Sequence, residues 1–264
     1  ELSGGVMETV VLHPEKDTLP AYAELHCISN FSFLRGASHP EELVAGAQAL
    51  GYAALALTDE CSLAGVVRAH LAARDAGLKL LIGSEFTLAE GTRLVLLATD
   101  RAAYGNLSEL ITEGRRAAAK GNYRLTQSAV ERWAAGCLAL WLPPDPFDEA
   151  MALTELEWFA TTFAGRAWIA VELLRTGRDA EQLAALQRLG TTTGLPLAAA
   201  GAVHMHERVR RPLQDVLTAI RRGETVVQAI PALYPNAERH LRPRAVLKRL
   251  YPPELLAATV EIAA

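Results

Sequence analysis

Four side chains of this sequence have the chemistry of metal ligands and lie at similar places along the chain. His26, Asp59, Glu85 and His204 each fall near the end of a short apolar segment. Imidazole and carboxylate groups suit zinc or manganese, and together they suggest a metal-dependent hydrolase. For either histidine alone, a hydrogen-bonded residue at the rim of the fold is the simpler interpretation. The elements that carry these residues decide whether they meet.

Seven segments of the chain have the composition of buried strands. Helical patterns separate them, as in a succession of βα units. Their nearly continuous hydrophobicity is typical of parallel strands that are covered by helices. The predicted strands span residues 22–28, 53–59, 78–86, 93–99, 137–143, 168–174 and 195–204.

The positions of the polar residues favour a closed barrel over an open sheet. In a βα barrel, functional residues lie at the carboxyl ends of the strands, which is where the four candidate ligands fall. We therefore predict a distorted TIM-like (β/α)7 barrel, with an open doubly wound sheet as the alternative. The first helix is predicted to begin with Ser38 as its N-cap, to have Glu41 as the capping-box partner, and to stop at Gly51.

Charge and cysteine content limit the classes of function. The chain has 264 residues, half of them apolar, and a net charge of −4. Sequence-independent DNA affinity requires many Lys and Arg residues, so a broad DNA-binding face is not expected here. The three cysteines, Cys27, Cys61 and Cys137, are too dispersed for a disulfide framework or a zinc knuckle, which favours a reducing, cytoplasmic location. No apolar run approaches the ~20 residues that cross a bilayer, and no membrane partner is predicted.

Several phrases of the sequence resemble a known family. "ELHC" at 24–27, "NFSFLRGAS" at 30–38, "TDECSLAG" at 58–65 and "GSEF" at 83–86 are similar to the PHP domain (polymerase and histidinol phosphatase type) of bacterial C-family DNA polymerases. The similarity is specific to the error-prone branch of these DNA polymerase III alpha-like enzymes, which acts in damage-induced mutagenesis. It covers roughly residues 21 to 264 and implies a barrel of the PHP type.

The resemblance also places nine metal-ligand positions on this sequence, and most of them carry other residues. His26, Glu85 and His204 match ligands, and Glu60 replaces a histidine but could still coordinate a metal. The other five positions carry Ile28, Arg35, Arg93, Pro143 and Ala202. Aliphatic side chains offer no lone pair, and arginine carries only donors. The resemblance therefore implies a vestigial site, with no metal expected and zinc or manganese present only if the degenerate site still binds.

Two of the replacing residues are arginines, which would repel a divalent cation and attract carboxylates. We predict that a salt-bridge network takes the place of the metal and consists of Glu24, Arg35, Glu60, Glu85 and Arg93. Truncating one partner of a buried network leaves an unpaired charge, at a cost of ~3–5 kcal/mol. The alternative is that both arginines are ordinary surface residues, whose ion pairs contribute little.

The resemblance implies that the domain is part of an error-prone, translesion DNA-directed DNA polymerase, a nucleotidyltransferase that acts in DNA damage tolerance and repair. The catalytic aspartates and the Mg²⁺ of such an enzyme would belong to a palm domain outside this chain. The domain itself is expected to have no catalytic residue and a structural or partner-contact role. Two alternatives stay open: an active metal-dependent phosphoesterase or proofreading exonuclease, and a module that binds an anion or a protein at the barrel mouth through Arg35 and Arg93.

Three segments are expected along the chain. Residues 1–20 are interpreted as a leader, part of which, before Met7, could derive from cloning. Residues 21–225 are predicted to form the PHP barrel, and residues 226–264 a Pro- and Arg-rich connection and helix that lead toward the polymerase domain. The expected partners are the rest of the polymerase chain, primer-template DNA through the parent enzyme, and mutagenesis accessory proteins.

Overall fold

The computed structural model describes residues 19–144 and 148–264, so the predicted leader lies almost entirely outside the described residues. The strands are β1 (Ala23–Glu24), β2 (Ala54–Leu57), β3 (Lys79–Thr87), β4 (Arg93–Ala98), β5 (Cys137–Trp141), β6 (Ala167–Val171) and β7 (Leu197–Ala199). The helices are α1 (Pro40–Ala49), α2 (Val66–Ala76), α3 (Arg101–Arg116), α4 (Gln127–Trp133), α5 (Glu149–Thr162), α6 (Asp179–Thr193), α7 (Arg211–Arg222), α8 (Val226–Ala229), α9 (Arg244–Leu250) and α10 (Pro253–Ala263). Each predicted strand segment overlaps one observed strand.

The strands form one sheet in chain order, from β1 to β7. The expectation of an entirely parallel sheet is wrong for β4, which runs antiparallel to both β3 and β5. The physical reason is the length of the connection between β3 and β4. Only Leu88–Thr92 joins the two strands, closed by a hydrogen bond from Leu88 N to Thr92 O of 2.9 Å, whereas a parallel crossover needs a dozen or more residues.

The sheet curls until its two edges meet. Between the segments that follow β1 and β7, Val203 N donates to His26 O and Ile28 N donates to Val203 O, both at 2.9 Å. The result is a distorted barrel, which confirms the predicted fold class and excludes the open doubly wound sheet. The reversal of β4 has a further effect, because it pairs Arg93, the first residue of β4, with Thr87 at the carboxyl end of β3.

The interior of the barrel is filled by small and aliphatic side chains. This cluster includes Ala23, Leu25, Ala54, Ala56, Val95, Leu97, Leu140, Leu142, Ala170, Ala198 and Ala200. A larger cluster fills the space between the sheet and the surrounding helices. Because the interior is packed, as in other βα barrels, polar chemistry is confined to the ends of the barrel.

The part of the C-terminal segment from Leu241 onward packs against the barrel. Ile262 and Ala263 of α10 belong to the interior cluster, and Ala23 N donates to Thr259 Oγ1 at 3.1 Å. Arg242 is buried, and its guanidinium donates to Leu173 O at 2.7 Å. Helix α10 thus closes the barrel at the amino end of β1, opposite the mouth. That this segment leads to a polymerase domain stays a prediction.

Helix α1 begins one residue later than predicted. Its N-cap is His39, whose backbone N donates to Glu42 Oε2 at 2.9 Å, so the predicted pair of Ser38 and Glu41 is wrong. Pro40 follows as the first helical residue, a position where its missing N–H costs nothing. The Ser38 hydroxyl instead contacts His206 Nδ1 at 2.8 Å.

Two other expectations concern cysteines and membranes. Cys27, Cys61 and Cys137 are all buried free thiols. Within residues 19–144 and 148–264, no helix has both the length and the hydropathy that a bilayer crossing requires.

Candidate functional site

Most of the predicted site residues meet at the end of the barrel where β1, β2, β3, β6 and β7 have their carboxyl ends. A cavity of about 450 Å³ opens there. Its lining includes Arg35, Glu60, Glu85, Arg93, His204 and Arg239. We refer to this end of the molecule as the barrel mouth.

His26 lies beneath the cavity, between two buried carboxylates. Its Nε2 is 2.5 Å from Glu85 Oε2 and its Nδ1 is 2.6 Å from Glu172 Oε1. A carboxylate accepts hydrogen bonds, so both ring nitrogens carry protons and the imidazole is a cation. Burial disfavours that charge, but the attraction of Glu172 and Glu85 outweighs burial and raises the pKa of His26 to about 9.

Glu172 was missed by the sequence reasoning. It follows β6 directly and is buried, with its pKa lowered against the effect of burial by the adjacent His26. The available signal was a lone glutamate inside the apolar run 168–174. A carboxylate in such a strand requires a buried partner.

Arg35 joins two carboxylates of the mouth. Its Nη1 lies 2.5 Å from Glu60 Oε2 and also contacts Glu85 Oε1. Burial would raise the pKa of Glu85, but Arg35 and the hydrogen bond from His26 hold that pKa well below its ordinary value. Glu85 therefore bridges two cations, one on each oxygen.

The other two members of the predicted network lie differently. Glu24 is directed away from Arg35 and accepts hydrogen bonds from Tyr22 Oη at 2.8 Å, His26 N at 3.0 Å and Gly201 N at 2.8 Å. Arg93 lines the cavity and lowers the pKa of Glu85 through its charge. In the part of the chain that the structure describes, no ion pair within 4.0 Å joins Arg93 to a carboxylate.

Three of the replaced ligand positions are apolar and contribute no donor or acceptor side chain to the mouth. Ile28, Pro143 and Ala202 are buried. The backbone of Ile28 takes part in the closure of the barrel. Ala202 has a φ of 47°, so the segment before His204 turns sharply.

Asp59 organises the loop that carries Arg35. Its carboxylate accepts hydrogen bonds at 2.7 Å from Ser29 N, Ser29 Oγ and Ser32 Oγ. Burial raises the pKa of Asp59, although these hydrogen bonds oppose the rise. Asp59 is thus a structural residue beneath the mouth, because its oxygens face the loop.

Gly36 allows this loop to fold back on itself, and Gly36→Ala is expected to lower the free energy of unfolding by ~1–3 kcal/mol. An added Cβ would lie 2.0 Å from Ser29 O. Urea denaturation measures the change. Gly105→Ala in α3 is the control, since nothing lies within 4 Å of that Cβ and alanine is the better helix former. Equal stability of the two variants would contradict the close packing.

The protonation pattern of His204 follows from its neighbour Gln214. The Gln214 side-chain nitrogen Nε2 is 3.1 Å from Arg35 O and 2.9 Å from His204 Nδ1. A carbonyl oxygen can only accept, so the amide nitrogen must face it, and the same NH₂ group donates to Nδ1. Burial, with Arg239 and Arg35 nearby, holds the pKa of His204 well below its ordinary value. His204 is therefore neutral, with its proton on Nε2.

These contacts do not fit a bound divalent metal. Both nitrogens of His26 are engaged by carboxylates, the only lone pair of the His204 ring faces Gln214, and Arg35 occupies the space between two glutamates. Among residues 19–144 and 148–264, no group of three or more His, Cys, Asp or Glu side chains is arranged to hold a metal ion. A metal would have to displace Arg35 and remove a proton from His26.

The barrel and the polar residues at its mouth define a class of α/β protein, and two solved structures share the fold. One is a putative metal-dependent phosphoesterase from Bifidobacterium adolescentis, with a TM-score of 0.53 and 17% identity over 71% of this chain and 89% of the other. The second is an amidohydrolase from Chromobacterium violaceum, with a TM-score of 0.57 and 18% identity over 70% of this chain and 88% of the other. The PHP domain model matches residues 24–167, and the chain belongs to the PHP domain family.

Curated relatives with much higher identity are error-prone DNA polymerases. The chain is 60% identical over 252 residues to the error-prone DNA polymerase of Dechloromonas aromatica. The aligned region covers 94% of this chain and 24% of the relative. The chain is 58% identical over 244 residues to the error-prone DNA polymerase of Methylococcus capsulatus. This aligned region covers 92% of this chain and 23% of the relative. The chain thus spans about a quarter of the length of these relatives.

Proposed function

We propose that this chain is the PHP domain of an error-prone DNA polymerase, and that ion pairs at its barrel mouth stabilise the domain in place of a metal centre. The observation that carries the proposal is Glu85, which is buried and receives one cation on each carboxylate oxygen, His26 on Oε2 and Arg35 on Oε1. The names of the relatives support the proposal that the parent enzyme is an error-prone DNA polymerase.

The charges at the site support this substitution. A divalent metal would bring two positive charges to the buried carboxylates. Here, the His26 imidazolium and the Arg35 guanidinium bring the same total charge through hydrogen bonds. Buried carboxylates must be paired to be tolerated, so the site stays folded without an ion.

In the parent enzyme, we assign nucleotide transfer, Mg²⁺ and primer-template contacts to parts outside this chain. The net charge of −4 agrees with a domain that does not grip DNA broadly. The proposed role is then to support the polymerase body, in a cytoplasmic enzyme that acts on damaged template in DNA repair and damage tolerance. Contacts with mutagenesis accessory proteins belong to the same proposal.

The alternative of an active metal-dependent phosphoesterase or proofreading exonuclease is disfavoured by the same contacts. Metal-assisted hydrolysis needs a held cation with an open coordination position. His26 and His204 have no free lone pair directed at the cavity. The likeness to the phosphoesterase and the amidohydrolase concerns the fold alone.

Metal removal tests this proposal. After dialysis against zinc or manganese and then against metal-free buffer, mass spectrometry is expected to find substoichiometric metal in the chain. EDTA is expected to leave the melting temperature unchanged, because His26 and Arg35 supply the charge that an ion would supply. The same samples should not cleave phosphoester substrates. One or more retained metal ions per chain, with a melting temperature that falls in EDTA, would instead support the hydrolase.

A further inference from the structure

An apolar stripe lies on the outer face of α7, where a surface helix is ordinarily polar. It consists of Val209, in the turn before the helix, and Leu213, Val216 and Ile220, all of them exposed. These four residues, which we call the α7 stripe, follow one another at intervals of four, three and four. The same intervals place residues in the seam between two packed helices. An exposed apolar patch of this kind is typical of a binding surface.

The inner face of α7 is polar and fixes the rotation of the helix. Gln214 and Thr218 are buried. The Gln214 side-chain nitrogen lies 3.1 Å from Arg35 O and 2.9 Å from His204 Nδ1. Turning the stripe toward the barrel would break these hydrogen bonds and leave their polar groups unpaired, which is costly in a buried site. The α7 stripe therefore faces solvent in the described part of the chain.

A further exposed apolar residue, Phe33, lies beside the stripe. Phe33 is 80% exposed, and together with Leu213 and Leu217 of α7 it lines a cavity of about 290 Å³. The neighbouring Ser32 donates from Oγ to Asp59 at 2.7 Å, which anchors the loop that carries Phe33. The cavity has room for one bulky side chain of a partner, the type of contact that contributes most of the affinity in protein interfaces.

Arginines lie at both ends of the stripe. At the amino end, Arg208 shares Glu238 with Arg175. At the carboxyl end, Arg221 has no carboxylate within 4.0 Å among the residues that the structure describes. Like charges that meet across an interface are costly, and two copies of this stripe would bring arginines together in either direction. The charges therefore favour a partner that has carboxylates at both ends of its apolar stripe.

We propose that the α7 stripe and the cavity beside Phe33 bind an amphipathic helix of the parent polymerase, from a part of it outside these 264 residues. The inference rests on the proposed function and adds to it the surface that would join the domain to the polymerase body. The aligned regions cover only 24% and 23% of the two curated relatives, so most of each relative lies outside them. The partner helix is expected to have apolar residues at heptad spacing and Asp or Glu at both ends.

Cysteine labelling tests whether the stripe is covered in the parent enzyme. Val216→Cys is introduced into the 264-residue chain and into the full-length parent polymerase. The native thiols of the 264-residue chain are buried, and mass spectrometry of the peptide that contains position 216 reports the reaction with a maleimide. Labelling is expected to be rapid in the 264-residue chain and at least tenfold slower in the parent. Unfolding the parent in urea should restore the rapid rate.

A second substitution removes the docking. Ile220→Glu places a carboxylate in the apolar seam and should speed the labelling of position 216 in the parent at least tenfold. Ile220 is 57% exposed, so the melting temperature of the 264-residue chain should stay unchanged. Met151→Glu on α5 is the matched control, because Met151 is also apolar and is 70% exposed. It should leave the labelling of position 216 slow.

Arg221→Glu tests the charges at the end of the stripe. Because the partner is expected to have a carboxylate there, this reversal should also speed the labelling of position 216 in the parent. Melting curves show whether each variant of the parent is folded. If Ile220→Glu prevents folding, Arg221→Glu decides, since that side chain is exposed.

The other outcomes would overturn the proposal. Equally rapid labelling in the 264-residue chain and in the parent would show that no part of the parent covers the stripe. Labelling of the 264-residue chain that slows as its concentration rises would assign the stripe to a second copy. Primer extension by the same parent samples is a separate readout: absence of DNA synthesis would contradict the proposed function, whereas the labelling rates decide the docking.

Discussion

Arg35→Ala is expected to lower the free energy of unfolding by ~3–5 kcal/mol, the range for removal of one partner from a buried ion pair. The substitution leaves Glu60 and Glu85 without their shared guanidinium. The Glu85 side chain is only 4% exposed, so water replaces the lost partner poorly. Urea denaturation at neutral pH, followed by far-ultraviolet circular dichroism, measures the effect.

Arg68→Ala is the matched control for Arg35→Ala. Arg68 also pairs with a glutamate, Glu41, but the two side chains are 48% and 41% exposed. Exposed pairs contribute ~0–1 kcal/mol, so the control should change stability little. If Arg35→Ala lowers the free energy of unfolding no more than Arg68→Ala does, the proposal that ion pairs stabilise the barrel mouth in place of a metal is contradicted.

The stability of the chain is expected to fall by about 3 kcal/mol as the pH rises from neutral through about 9. The cause is His26, whose pKa is about 9 in the folded protein and ordinary in the unfolded one. A group whose pKa is raised in the folded state contributes its full stabilisation at pH values below its pKa in the unfolded state. It loses that contribution as the pH rises through its pKa in the folded state. Glu85 and Glu172 face the ring, with the charges of Arg35, Arg93 and Arg239 around them.

At acidic pH, the stability of the chain is expected to fall as the pH decreases. The pKa values of Glu85 and Glu172 are lowered, so their contribution is present above the ordinary glutamate pKa and is lost as the pH falls through the folded-state values. Stability should therefore have a plateau between these limits.

Urea unfolding between pH 5 and pH 10, compared between the wild type and His26→Gln, isolates the histidine. The variant keeps a polar side chain but cannot be protonated, so the alkaline fall should be much smaller in the variant. Other groups that titrate near pH 10 affect both proteins equally. Parallel curves for the two proteins would show that His26 is not charged at neutral pH.

The strands and the barrel could be predicted from the sequence because hydrophobic runs and polar strand ends are local patterns. The order of the strands follows the chain, so no long-range pairing had to be guessed. The direction of β4 was missed, since residues 93–99 resemble a parallel strand in composition. The signal was the short connection Leu88–Thr92.

The site was only partly predictable, because ion pairs depend on distances between remote segments. His26, Glu60, Glu85 and His204 could be placed near the mouth from strand ends and family resemblance. That Glu24 does not pair with Arg35 could not be predicted, because the carboxylate of Glu24 instead accepts a hydrogen bond from the backbone of the distant Gly201.

The two neighbours that set the protonation of the histidines are also distant in sequence. Glu172 is 146 residues from His26, and no pattern in the chain links the two. Gln214 lies on α7, ten residues after His204. A glutamine on a helix is an unremarkable residue until the structure shows that it is buried against a ring nitrogen.

The reversal of β4 changes how the mouth is bounded beside Arg93. In a regular βα barrel, each connection at the mouth leads into a helix and can form a high rim. Here, the five residues Leu88–Thr92 turn straight back into β4, and Glu90 and Gly91 at the turn are exposed. Because Arg93 begins β4 directly after this turn, a longer hairpin at this point is expected to restrict access to Arg93. The length of one short turn would then control this side of the cavity without any change in the barrel.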